Sequence, residues 1–123
     1  MIEHVRISKV GKDNLTILKR RTGIKTRNVL CRWALCVSLG DATPPSPRYG
    51  DGPTDLEISW PTFGGAEADL YWALVKERCR KDGLTIDDET VSVQFHLHLH
   101  RGLTHLYGDA ELRSIESLLE RVV

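Results

Sequence analysis

No run of about eighteen apolar residues occurs anywhere in this sequence, which excludes a conventional membrane-spanning helix. Cysteine is scarce. Cys31, Cys36 and Cys79 are odd in number and form no C-x-x-C pair, so neither a disulfide framework nor a structural zinc site is expected, and buried thiols are the simpler reading. The opening residues, MIEHVRISKVGK, are charged from the third position and hold no signal-peptide stretch, which points to the cytoplasm. Internal repeats and low-complexity tracts are absent, and 123 residues suit one domain. Acidic clusters followed by Glu-x-Lys and H-x-x-E-H helices, two common nuclease signatures, are missing too.

The zero net charge conceals a division. Residues 1–40 hold nine lysines and arginines (Arg6, Lys9, Lys12, Lys19, Arg20, Arg21, Lys25, Arg27 and Arg32) against Glu3 and Asp13, a net +7, which leaves −7 for the remainder. Such asymmetry in one small domain suggests a polyanion-binding face backed by an acidic body.

Three sections follow along the chain: a basic part over 1–40, a Pro/Gly-rich loop over 41–62, and a helical part over 63–123. The alternating VRIS segment at 5–8 reads as a short strand. A turn of about 100° per residue then puts Val10, Leu15, Ile17 and Leu18 on one side of a first helix, with Lys9, Lys12, Lys19 and Arg20 on the other. Gly23 is the natural left-handed residue closing it, and Thr26 the N-cap of a second helix, RNVLCRWALCVSL. That second helix is apolar nearly all the way round, so it needs cover on most sides, and association into a homo-oligomer would supply it. Trp33 is expected in the core with Trp72, and Arg32 is expected to pair with an internal carboxylate. A short extended piece, LEIS, lies inside the loop. A third helix spans 66–83 with Leu70, Leu74 and Arg78 along one side; a fourth enters at Asp87-Asp88-Glu89 and stops at Gly108; a fifth is capped by Asp109, with Leu112, Ile115, Leu118, Leu119 and Val122 on one face.

The fourth segment, TVSVQFHLHLHRG, is ambiguous. As a strand it would set His96, His98 and His100 on one face, within reach of a single metal ion. As a helix it lines up Val91, Phe95, Leu99, Leu103 and Leu106, and His98 parts company with His96 and His100. The helical pattern extends further along the chain and is preferred.

Together, "LKRRTGIKTRNVLCRWALCVSL", the proline insert, "FGGAEADLYWALVKERC" and "FHLHLHRGLTHL" resemble, in order and spacing, the DNA sulfur modification protein DndE family. The resemblance implies a mainly α, compact helical domain with a ribbon-helix-helix-like N-terminal part (short strand, two helices) and about three further helices. It also implies a homotetramer that binds duplex DNA, preferentially nicked. On that reading the chain is a bacterial non-catalytic component of DNA phosphorothioation, beside a cysteine desulfurase, a sulfurtransferase and an ATPase. The DNA-binding residues expected are Lys9, Lys12, Lys19, Arg20, Arg21, Lys25 and Arg27, joined by the backbone N–H groups at the start of the second helix. No catalytic residue, metal or cofactor is expected.

Two alternatives stand beside this reading. In one, His96, His98 and His100 hold a divalent ion and Tyr107 attacks a phosphodiester, as in a nicking endonuclease. In the other, the VRIS strands pair across a dimer and Arg6, with Ser8 and His4, reads bases as in a ribbon-helix-helix repressor.

Overall fold

The computed structural model describes residues 1–108, and the amphipathic helix expected over 109–123 lies outside the described residues. Strand β1, His4–Ser8, buries Val5 and Ile7 completely and turns His4 and Arg6 outward, as its alternation requires. Ser8 ends the strand and caps helix α1, Lys9–Thr22: its hydroxyl oxygen accepts the Gly11 N–H at 3.1 Å. Gly23 closes α1 in the left-handed conformation, φ 76°, and donates its N–H to the Lys19 carbonyl at 3.0 Å. Leu15 and Leu18 face the core. Val10, expected beside them, is instead 67% exposed; its neighbour Gly11 is the residue of the first turn that packs inward, against Ile7 and His100.

Helix α2, Arg27–Leu39, buries Leu30, Cys31, Ala34 and Leu35 fully. Most of its cover comes from helix α5, Asp88–Gly108, which settles the ambiguous histidine segment as a helix. Val91, Phe95, Leu99, Leu103 and Leu106 are all wholly buried along it. Gly102 sits directly against the Ala34 carbonyl, so the two helix backbones touch where they cross. Trp33, expected in the core, is only half-buried, as is Cys36, whereas Cys31 and Cys79 are buried thiols. Burial pushes the Cys31 thiol up to about 12 despite neighbouring Arg27 and Arg32, which leaves it unreactive.

The stretch expected as one long loop is more ordered than its prolines and glycines suggest. It contains a 3-10 turn at Pro47–Gly50 and strand β2, Thr54–Ser59, and it runs into a short helix α3, Trp60–Gly64. The LEIS piece falls within β2, which pairs antiparallel with β1, Val5 opposite Ile58 and Ile7 opposite Leu56. Helix α3 sends Trp60 and Phe63 into an aromatic cluster with Trp72 and Phe95, their ring centroids 5.2–5.8 Å apart. Helix α4, Ala68–Lys81, follows a 3-10 turn; it buries Trp72, Val75, Arg78 and Cys79 and leaves Leu70 and Leu74 outward. Among the described residues no helix is long and apolar enough to cross a membrane.

Candidate nucleic-acid interface

Because Leu15 and Leu18 hold α1 on the core, the opposite side of the helix faces solvent with Lys9 and Arg20 exposed and Lys12 and Lys19 half-exposed. Lys25 extends the surface into the turn beyond Gly23. Two expected members are otherwise engaged, and a third is recessed. The Lys12 ammonium lies 3.6 Å from Asp55 of β2. Arg21 donates to the Tyr107 carbonyl at 2.8 Å and lies over the Tyr107 ring at 5.4 Å, so it fastens the end of α5 to α1. Arg27 is half-buried, and its Nε–H meets no acceptor among the described residues. Lys9, Lys19, Arg20 and Lys25 have no carboxylate within 4 Å among the described residues.

The amino end of α2 adjoins this surface. Thr26 occupies the N-cap position as expected, yet its side chain makes no capping bond, and the first turn carries no acid. The first-turn N–H groups and the positive end of the helix dipole are therefore open to an anion.

Arginines buried elsewhere were not anticipated. Arg32 finds no internal carboxylate among the described residues; it lines an open apolar groove with Val29, Trp33, Cys36 and Tyr71. Arg78 and Arg101 take the internal role instead. Arg78 donates to the Leu39, Asp41 and Thr43 carbonyls at 2.7–3.1 Å and pairs with Asp82 at 3.1 Å. Arg101 donates to the Ser38 hydroxyl and carbonyl, each at 2.8 Å, and to the Thr43 carbonyl at 2.7 Å. Two guanidinium groups thus satisfy the carbonyls that α2 leaves open at its end and tie down the loop that follows. The hydrogen bonds from Thr43, then the Arg101 charge and His105, hold the Asp41 carboxyl down at about 2. A sequence signal existed, since both arginines interrupt apolar helix faces, and Arg78 has Asp82 one turn further on.

The histidines divide as the helical reading requires. His98 faces α2, where its Nδ1 lies 2.9 Å from the Ser38 hydroxyl; burial, then the charges of Arg101 and Arg78, push its pKa down to about 4. His96 and His100 face β1. The Arg6 N–H donates to His96 Nε2 at 3.0 Å and the Ser8 N–H donates to His100 Nε2 at 3.1 Å. These lone pairs are spent on backbone, and among the described residues no group of three or more His, Cys, Asp or Glu side chains is placed to hold a metal. Tyr107 lies on the same helix as the histidines, about two turns beyond His100, whereas the nickase arrangement needs its nucleophile on a separate element.

The repressor alternative fails at the ribbon. Strand β1 has β2 of its own chain on one edge and the two imidazoles on the other, so neither edge is available to a second β1. The base-reading role offered to Arg6 is also weakened, since its guanidinium lies 3.8 Å from Glu57.

The family model for DNA sulphur modification protein DndE matches residues 4–114. This chain belongs to the DndE family. The fold agrees: the crystal structure of DndE from Escherichia coli B7A, described as involved in DNA phosphorothioation modification, superposes with a TM-score of 0.69 at 21% identity. That match covers 86% of this chain and 97% of the E. coli one. No curated protein matches the sequence. DndE membership ties the chain to DNA sulphur modification, and it is consistent with the strand-helix-helix order of the amino-terminal part.

Proposed function

We propose that this DndE-family chain is the non-catalytic DNA-binding component of a phosphorothioation machinery. It holds duplex DNA, preferentially nicked, for the sulfurtransferase, ATPase and cysteine desulfurase that supply the chemistry. The observation carrying this reading is the outward cationic surface of Lys9, Lys19, Arg20 and Lys25, which continues to the uncapped amino end of α2. Lys12 and Arg21 border it and contribute less, because each is engaged within the chain, and Arg27 contributes less because it is half-buried. Lysine and arginine contacts to phosphate act mainly by releasing condensed counterions, a term blind to base sequence, as a protein acting on the DNA backbone requires.

A binding comparison tests this. Nicked, intact and single-stranded DNA of one sequence are titrated with and without Mg2+ or Mn2+, and a denaturing gel reports cleavage. The expected order is nicked above intact above single-stranded, without metal dependence and without new ends. Metal-dependent strand cleavage would replace the scaffold reading with the nuclease one.

Association into a homotetramer is part of the same proposal. It is supported by the half-buried groove of Val29, Trp33, Cys36 and Tyr71, and by Leu70 and Leu74 on α4, the helix that carries Tyr71, which are 51% and 42% exposed. A second copy of the chain is the expected occupant, since α2 keeps an apolar side that α5 does not cover. Light scattering at micromolar concentration should give a multiple of the chain mass for the wild type and the single-chain mass for Trp33→Glu. A monomeric wild type would remove the idea.

A further inference from the structure

His96 and His100 stand one helical turn apart on α5, and both nitrogens of each ring have assigned partners. Nδ1 of His96 lies 2.7 Å from the Ser92 carbonyl and Nδ1 of His100 lies 2.7 Å from the His96 carbonyl. A carbonyl only accepts, so each Nδ1 carries the proton. The facing groups of β1, the N–H of Arg6 and of Ser8, only donate, so each Nε2 must be bare. Both rings are therefore held as the neutral Nδ1–H tautomer by geometry alone. Without them the outer edge of β1 would present unpaired N–H groups, an open template for another strand.

We infer that His96 and His100 form a two-pin clamp that holds the outer edge of β1 and the start of α1 on α5 only while both imidazoles are neutral, so that acid opens this edge before the core unfolds. Protonation at Nε2 sets N–H against N–H at 3.0–3.1 Å and breaks each contact. Ser8 is both the last strand residue and the N-cap of α1, so its release also frees the turn carrying Lys9 and Lys12. Water can reach both rings through a cavity of about 300 Å3 bordered by Arg6, Ser8, Ser92, His96 and His100.

The charged and titratable surroundings set the direction. Glu3, His4 and Arg6 border the groove beside His96; Arg48, Tyr49 and Asp51 border the one beside His100. Neither ring has a carboxylate within 4 Å among the described residues. Burial is the main influence on both and lowers their pKa values. The backbone hydrogen bonds at Nδ1 oppose it, while the charges of His100 and Arg6 lower His96 further. A released imidazole protonates near its ordinary pKa of about 6.5. The clamp is accordingly complete above that pH and is lost as pH falls through the lower values of the folded rings.

The test uses the full-length 15N-labelled chain. Imidazole spectra at about pH 7.5 should show the Nδ1–H tautomer at both rings. Between about pH 6.5 and 5 the exchange protection of the Arg6 and Ser8 amides should fall about tenfold or more, while Phe95 and Leu99 keep theirs. In His96→Gln/His100→Gln the carboxamide oxygens can accept the same N–H groups without titrating, so protection should stay level with pH. An Nε2–H tautomer at either ring, or Arg6 and Ser8 protection that is level in the wild type or falls only with the core, overturns the clamp. The wild-type tautomer and pH series decide alone if the double variant does not fold.

Discussion

Reversing three charges, Lys19→Glu, Arg20→Glu and Lys25→Glu, should weaken binding to nicked duplex by about 100-fold or more at moderate salt. Each cation that meets a phosphate contributes about 0.9 to the slope of log affinity against log salt. Losing three should therefore lower that slope by roughly 2.7 and add repulsion on top. The control is Lys81→Glu, an exposed cation on α4 outside this surface, which should leave both affinity and slope unchanged. Because all three residues sit at the surface with no ion-pair partner among the described residues, the folded chain should lose little stability. A triple variant that binds with the wild-type slope, measured by fluorescence anisotropy across a salt series, would remove the surface from the mechanism. Arg21→Glu makes a useful contrast. Its guanidinium fastens the Tyr107 carbonyl, so the expected loss is in stability as well as in binding.

The second large effect is Gly102→Ala, for which two arguments give opposite signs. Glycine inside a helix is about 1 kcal/mol less favourable than alanine, so propensity alone expects stabilisation. Packing expects the reverse. A Cβ at position 102 would fall inside the Ala34 carbonyl group, and the obstacle is backbone, which cannot rotate away as a side chain can. α2 and α5 would have to separate where Leu30, Ala34, Leu35, Leu99 and Leu103 are all fully buried. Overpacking of this kind typically costs about 1–3 kcal/mol and more when the backbone must move; with the obstacle in the backbone the upper end applies, and after the propensity gain the net expectation is a loss of about 2 kcal/mol or more. Against a total stability of roughly 5–15 kcal/mol that is severe. Urea denaturation and a melting temperature lowered by roughly 10 °C or more should report it. A variant as stable as the wild type would show that the two helices do not cross at Gly102.

Much of this architecture was legible before any coordinates, for a physical reason. Helix periodicity, the Gly23 stop and the Val5/Ile7 alternation are local properties, written within about one turn of chain. So is the separation of Lys9, Lys19 and Arg20 from Leu15 and Leu18, which follows from 3.6 residues per turn. The histidine segment was harder, because an alternating pattern of this length fits strand and helix alike. Its outcome was set by the longer series ending at Leu103 and Leu106, which no strand of ordinary length would reach. The stretch over 41–62 misled, since prolines and glycines punctuate it. The β2 segment inside it is held by its pairing with β1, a contact between residues about fifty apart.

By itself the sequence determined helices α1, α2, α4 and α5, the cationic side of α1 and the resemblance in motif order that the family match bears out. Only the tertiary structure decided which charges are spent inside the molecule. Asp55 reaches Lys12 and Tyr107 receives Arg21, while Arg78 and Arg101, rather than Arg32, are drawn inward to the open end of α2. It also set His96 and His100 against backbone N–H groups of β1 and His98 against the Ser38 hydroxyl. The reason is common to all of these: a charge or a lone pair takes whichever partner the fold brings within about 3 Å, and that partner lies tens of residues away along the chain.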